Sequence, residues 1–212
     1  MNTDHIMNPA TNAMALVRGW LLPCCLALAL LPPPAWALPV AQGGVVVRIE
    51  IPAGSSTKYE IDEETGDIWV DRFVSVPVVY PANYGFVPGS LAGDGDPLDV
   101  LVLTRAPVAP GAKIRTRVVG LLRMTDDGEP DSKLIAVPLS TVDSTYEAIQ
   151  DIGDLPAAEL DRIRAFFQVY KIGFVKSGAM DAGVAGVSPI RILGFGGRAE
   201  AERELKAAIK GR

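Results

Sequence analysis

Three carboxylates crowd into Asp94-Gly95-Asp96-Pro97-Leu98-Asp99, and the chain then runs directly into the apolar stretch Val100-Leu101-Val102-Leu103. A short continuous apolar run reads as a buried strand, which pins Asp99 at a strand start, while Gly95 lets the backbone turn and Pro97 stiffens it. The fold must therefore carry an acidic turn at the edge of a hydrophobic core. Like charges this close repel one another unless a cation joins them. If their oxygens converge on one point, an all-oxygen donor set suits a hard divalent ion, Mg2+ first and Ca2+ or Mn2+ next. A helix-loop-helix calcium loop does not fit: Leu98 stands where that loop needs an oxygen ligand, Asp99 where it needs glycine, and a β-type run follows instead of a helix. The competing reading, a solvated turn with incidental charge, is weakened by the buried flank.

The amino-terminal residues 1–37 read as a secretory signal peptide. Arg18 precedes an apolar stretch from Gly19 to Leu31, which is followed by three prolines and the small-x-small site Ala35-Trp36-Ala37. The stretch is too short for a membrane span, which takes about 20 apolar residues. Cleavage after Ala37 is expected, with Met14 as an alternative start, and no stable membrane anchor is expected afterwards. Cys24, Cys25 and His5 all precede residue 38. The chain beyond the signal thus has no disulfide, no imidazole and no thiol, which excludes His- or Cys-based catalysis and argues against zinc or copper. Its length of about 175 residues suits a single domain, 38–212. A formal charge of −5 for the whole chain makes nucleic acid an improbable partner.

Along that domain, Val45 to Ile51 alternates apolar and polar residues as a half-buried strand does, with Glu50 off the apolar face. The segments 58–62 and 67–73 flank Glu63-Glu64-Thr65-Gly66 and read as a hairpin. Further strands are expected over 99–103, 113–124 and 134–138, with no helical pattern before about residue 143, and together they suggest a small closed or nearly closed barrel. A helix is expected to open at Asp154-Leu155-Pro156, with Asp154 as its cap and Leu160, Ile163, Phe167 and Tyr170 at helical spacing, and a terminal helix over 199–210. Residues 172–197 are rich in Gly and Val and show no period.

A second acidic turn, Asp126 to Asp131 with Lys133 behind it, is ordinary surface by itself. Paired with the first, and with Lys58, Arg72, Tyr80, Tyr84, Lys133, Tyr170 and Lys171 spaced through strand ends and turns, it describes a site for phosphoryl chemistry.

Asp94-Gly95-Asp96-Pro97-Leu98-Asp99-Val100 resembles the signature of the soluble, Mg-dependent, barrel-forming inorganic pyrophosphatases (family I). Ile49-Glu50-Ile51-Pro52, Lys58 to Asp62, Val70-Asp71-Arg72-Phe73, Tyr80 to Gly85, Met124-Thr125-Asp126 and Tyr170-Lys171 are similar to further family segments in the family's order. The resemblance implies a mainly β (α+β) fold, a five-stranded OB-type β-barrel with flanking helices, and hydrolysis of inorganic diphosphate to two phosphates. By the same resemblance Asp94, Asp99 and Asp131 would hold the first Mg2+, with Asp99 bridging to a second. Asp126, Glu50 and Glu60 would serve further Mg2+ ions. Asp96, counted with the metal set, would accept the proton of the attacking water, and Tyr84 would join it in catalysis. Lys58, Arg72, Tyr84, Lys133, Tyr170 and Lys171 would bind the phosphates, with Tyr80 in support. It also implies a homo-oligomer, a hexamer among the assemblies it allows. After Lys171 the chain departs from the family's Lys- and Trp-bearing loop, with Ile172-Gly173-Phe174-Val175 in its place.

The rival from another class is an exported metal- or polyphosphate-binding module without activity. It predicts loss of Asp96, Arg72, Tyr84 or Lys133, and all four are present. A phosphohydrolase acting on larger diphosphate compounds is the second rival. The signal points to a periplasmic or secreted protein, with the cytoplasm as the alternative.

Overall fold

The computed structural model describes residues 44–172 and 189–210. The expected signal segment, its cleavage point at Ala37 and most of the Gly-rich stretch 172–197 lie outside the described residues. In chain order come β1 (Val45–Ile51), β2 (Thr57–Ile61), β3 (Ile68–Phe73), β4 (Asn83–Phe86), β5 (Asp99–Val102), β6 (Lys113–Asp126), β7 (Glu129–Pro130), β8 (Lys133–Pro138), α1 (Ala157–Val169), β9 (Ile190–Gly197) and α2 (Arg198–Lys210). Strands β1, β4, β5, β8 and β6 pair in that order, and β6 returns to β1, so five strands close into a ring. All pairings in the ring are antiparallel except β5 with β8. This is the mainly β, OB-type barrel with flanking helices that the family resemblance implied.

The expected strand β1 is present with its alternation intact: Val45, Val47, Ile49 and Ile51 are buried and the residues between them half-buried. The hairpin is also present, but as a separate two-stranded sheet. Its turn is held by the Asp62 carboxylate, which accepts from the backbone N–H groups of Glu64 and Thr65. Three strands were not anticipated, the two-residue β7 among them. β4 is only four residues long and all of them are buried; Tyr84 and Phe86 favour a strand, but Asn83 and Gly85 do not, and so short a stretch gives no pattern of its own. The glycine is required there because a Cβ would lie 2.0 Å from the Arg48 carbonyl oxygen on β1. β9 is similarly Gly-rich, and pairing with the second half of β6 makes it a strand.

Both faces of the ring are covered. Along β5 and the residue that follows it, Val100 and Val102 enter one apolar cluster and Leu101 and Leu103 the other, as strand geometry requires. Ala201, Leu205 and Ala208 of α2 complete the first cluster, and Ile163, Phe166 and Phe167 of α1 the second. Each large α1 side chain so buried contributes about 1.5–3 kcal/mol. The expected cap of α1 is corrected: Pro156 is at the cap position with no side-chain hydrogen bond. Asp154 instead accepts from the N–H groups of Gln150 and Asp151, where it closes a 3-10 turn over Ile152–Asp154. Among the described residues no helix is long and apolar enough to cross a membrane.

Candidate active site

The parallel pairing of β5 with β8 puts Val100 opposite Leu134, so the residues one step earlier, Asp99 and Lys133, stand side by side at the strand starts. Lys133 is buried, and its ammonium donates to the carboxylates of both Asp99 and Asp131. Burial pulls its pKa down, but the two carboxylates outweigh that and leave it above the ordinary lysine value. Asp131 is raised by burial, with Lys133 opposing and Asp99 and Asp94 adding repulsion. The loop before β5 carries Asp94 and Asp96. Gly95 turns it with φ +93°, and the Asp96 N–H donates to Asp94 Oδ1 at 3.1 Å.

Glu50, on the polar edge of β1, accepts from the Ile61 N–H of the hairpin at 3.0 Å. Burial raises it to about 7, against the pull of that hydrogen bond. Asp126 ends β6 and receives the ammonium of Lys171, which follows α1. Its other oxygen, Oδ1, is buried and has no hydrogen-bond partner among the described residues. On the hairpin, Lys58 pairs with Glu60 and with Asp71 (2.9 Å), and Arg72 donates to the same Asp71 carboxylate at 2.7 Å.

The phenols are set by packing. Tyr80 lies edge-on to Tyr84 at 5.7 Å and 4.7 Å from Phe166, and Phe166 stacks on Tyr170 at 5.0 Å. Helix α1 therefore aims Tyr170, and Lys171 after it, by burying its aromatic face. Burial first and the Asp99 carboxylate next hold the Tyr84 hydroxyl well above its ordinary pKa, and burial does the same for Tyr170. Both remain protonated donors.

All thirteen residues expected in the site line one cleft of about 680 Å³. Tyr80 does not line it and stands behind Tyr84 instead. Glu63, Asp127 and Glu129 also line the cleft and were not anticipated. Their sequence signal, acids in turns, is indistinguishable from ordinary surface. Asp71 was missed for a role too, because its partners come from the bulged β2–β3 register. The convergence of Asp94, Asp96 and Asp99 on one point is not observed. Among the described residues no three acids gather into a ready-made metal cage, since Lys133 stands between Asp99 and Asp131.

A family model for inorganic pyrophosphatase matches residues 47–210. The chain belongs to the inorganic pyrophosphatase family. Members of this family are hydrolases of inorganic diphosphate. The chain is 54% identical over 128 residues to inorganic pyrophosphatase 1 of Pseudomonas syringae pathovar tomato, covering 60% of this chain and 73% of that one. It is 43% identical over 166 residues to the inorganic pyrophosphatase of Aeropyrum pernix, covering 78% and 88%. The crystal structure of the Thermus thermophilus inorganic pyrophosphatase superposes with a TM-score of 0.71 at 40% identity, over 82% of this chain and 95% of that one. Metal dependence goes with this pyrophosphatase family, and the residues here fit a hard cation. The anionic donors of the cleft are all carboxylates, one oxygen of which, on Asp126, is buried without a partner among the described residues, and burial and repulsion from Asp99 and Asp94 keep Asp131 costly to ionise.

Proposed function

We propose that this pyrophosphatase uses Mg2+ and that Asp96 accepts the proton of the water that attacks the diphosphate. The observation that carries the reading is the gathering of opposite charges in one cleft: Asp94, Asp96, Asp99, Asp126 and Asp131 with Glu50 and Glu60, interleaved with Lys58, Arg72, Lys133 and Lys171. Asp94, Asp99 and Asp131 would hold the first ion, Asp99 would share a second, and Asp126, Glu50 and Glu60 would serve those that accompany substrate. When bound, Mg2+ supplies Lewis acidity that lowers the pKa of water and screens phosphate charge.

The chain's own groups do the rest. Lys58, Arg72, Lys133 and Lys171 neutralise phosphate oxygens, and the Tyr84 and Tyr170 hydroxyls donate to them as permanently protonated phenols. Asp96, on the exposed side of the acidic loop, takes the proton from water as its oxygen bonds to phosphorus and the bridging P–O bond breaks. Two phosphates leave. Substrate access from solvent fits the exposed loop that carries Asp96, beside the buried Lys133 cluster.

Phosphate release from diphosphate in Mg2+ and in excess chelator tests the metal. Full turnover in chelator would refute it. Alkylating reagents should leave the rate unchanged, because residues 38–212 contain no Cys or His. Export to the periplasm or beyond, with a domain of 38–212 beginning after Ala37, belongs to the same proposal and rests on the signal-like layout of residues 1–37. Amino-terminal sequencing of extracytoplasmic protein tests it, and retention of Trp20 would end it. Association into a homo-oligomer is supported by family resemblance and is read by light-scattering mass.

A further inference from the structure

Helix α2 touches both acid-bearing turns of the cleft. Near its end, the carbonyl of Ala208 accepts a hydrogen bond from the N–H of Leu91, in the loop that continues to Asp94 and Asp96 (2.9 Å). That carbonyl is one of the last four of the helix, which have no partner within it. One turn earlier, half-buried Glu204 has the side chain of Ser132, the residue between Asp131 and Lys133, as its polar neighbour on the wall of one small cavity. Glu204 and Ser132 face Asp94, Asp99 and Asp131 across this cavity of about 80 Å³. Leu205 and Ala208 pack in the same apolar cluster as Leu98 and Leu134, the neighbours of Asp99 and Lys133.

We infer that Glu204 is a positioning residue for the acidic site: through Ser132, and with the Leu91–Ala208 bond beside it, it sets the separation of the Asp94–Asp99 loop from the Asp131 turn. The inference rests on the proposed role of Asp94, Asp99 and Asp131 as metal carboxylates. Groups packed behind a metal ligand help orient it, and their loss is felt in metal affinity or activity. Glu204 touches neither substrate nor any of the three acids by hydrogen bond, so its effect should appear in Mg2+ association and vanish at saturating Mg2+.

Calorimetric titration of Mg2+ into the substrate-free full chain tests this, with melting temperature and Mg2+-dependent kcat measured alongside. Glu204→Ala and Ser132→Ala should each weaken Mg2+ binding about ten-fold, the lower end of what loss of such a partner costs. The double variant should be no weaker than either single one, and kcat should recover at saturating Mg2+. Glu204→Gln, which keeps the shape and an acceptor oxygen beside Ser132, should bind Mg2+ as the parent does. Glu202→Ala removes the Arg198–Glu202 pair (2.7 Å) of the same helix and should change melting temperature without changing Mg2+ affinity. Unchanged affinity in Glu204→Ala, additive loss in the double variant, or equal loss in Glu202→Ala overturns the inference. Asp131→Asn separates the two levels. If it binds Mg2+ like the parent, the metal reading itself fails; if it binds weakly while Glu204→Ala does not, only the role of Glu204 falls.

Discussion

On the barrel side of the cleft, Lys133 is 3% exposed and its ammonium is shared by Asp99 and Asp131. On the hairpin side, Lys58 and Arg72 meet Asp71 on a two-stranded sheet whose Trp69 and Phe73 are 63% and 68% exposed. The same pairing of charges therefore rests on unequal foundations. The barrel wall is set by ladder register and a packed core, so its charges are costly to disturb. The hairpin wall is set mainly by its own turn and by the Ile61–Glu50 bond, so its cations adapt at low cost to a ligand. A site that must hold cations rigidly and admit an anion from solvent can use both kinds of wall.

The strongest test of this contrast is chemical. Asp96→Asn, in the barrel-side loop, should lower turnover by roughly 10²- to 10⁴-fold, the usual contribution of a positioned base. Mg2+ affinity should stay near the parent's, and raised pH should partly restore the rate. Loss of Mg2+ binding in calorimetry would show Asp96 holding metal instead of moving a proton.

Next in size is the asymmetry in stability. Lys133→Met leaves Asp99 and Asp131 facing each other partly buried, and should cost about 3 kcal/mol in urea unfolding at neutral pH with chelator present. Lys58→Met should cost under about 1 kcal/mol, as exposed pairs do. Equal losses would erase the distinction between the walls. Arg72→Ala sharpens it further: KM should rise roughly ten-fold through loss of a charged hydrogen bond to phosphate, while melting temperature stays within a degree or two of the parent's.

The smallest effect belongs to a pair outside both walls. Arg105 donates to Asp143 at 2.7 Å, and that bond, followed by those from Thr145, holds the Asp143 carboxyl down at about 2. A depressed folded-state pKa stabilises above the ordinary carboxyl value of 3.8 and is lost as pH falls from there toward 2. Asp143→Asn should lower stability slightly at every pH above that window, neutral pH included, and flatten the acid limb within it, so that variant and parent converge below a pH of about 2. A change at pH 7 as large as that from Lys133→Met would mean the surface pair has been misjudged.

Much of this architecture was legible in the residues. The alternation of 45–51, the apolar run after Asp99 and the spacing of Ile163, Phe167 and Tyr170 each specify a local periodicity, and each appears as read. β4 was not legible, because Asn83-Tyr84-Gly85-Phe86 is too short for a periodicity and its glycine answers to the Arg48 carbonyl on another strand. β9 likewise depends on the free edge of β6. The acids and cations of the site could be named one by one, whereas Glu63, Asp127 and Glu129 could not, since turn acids look alike until the chain around them is folded, nor could Asp71 on β3, whose partner Lys58 comes from the neighbouring strand.

The sequence alone determined which chemistry is open to this chain. A catalytic region without Cys or His, rich in carboxylates at Asp94–Asp99 and Asp126–Asp131, leaves only oxygen ligands, ammonium and guanidinium groups, and phenols. Tertiary structure alone decided which charges meet. The parallel register of β5 and β8 sets Lys133 against Asp99, α1 carries Lys171 to Asp126 across 45 residues of chain, and the hairpin brings Ile61 to Glu50. Pairings of that kind are fixed by strand register and core burial, which act between segments far apart in sequence and leave no mark on the residues between them.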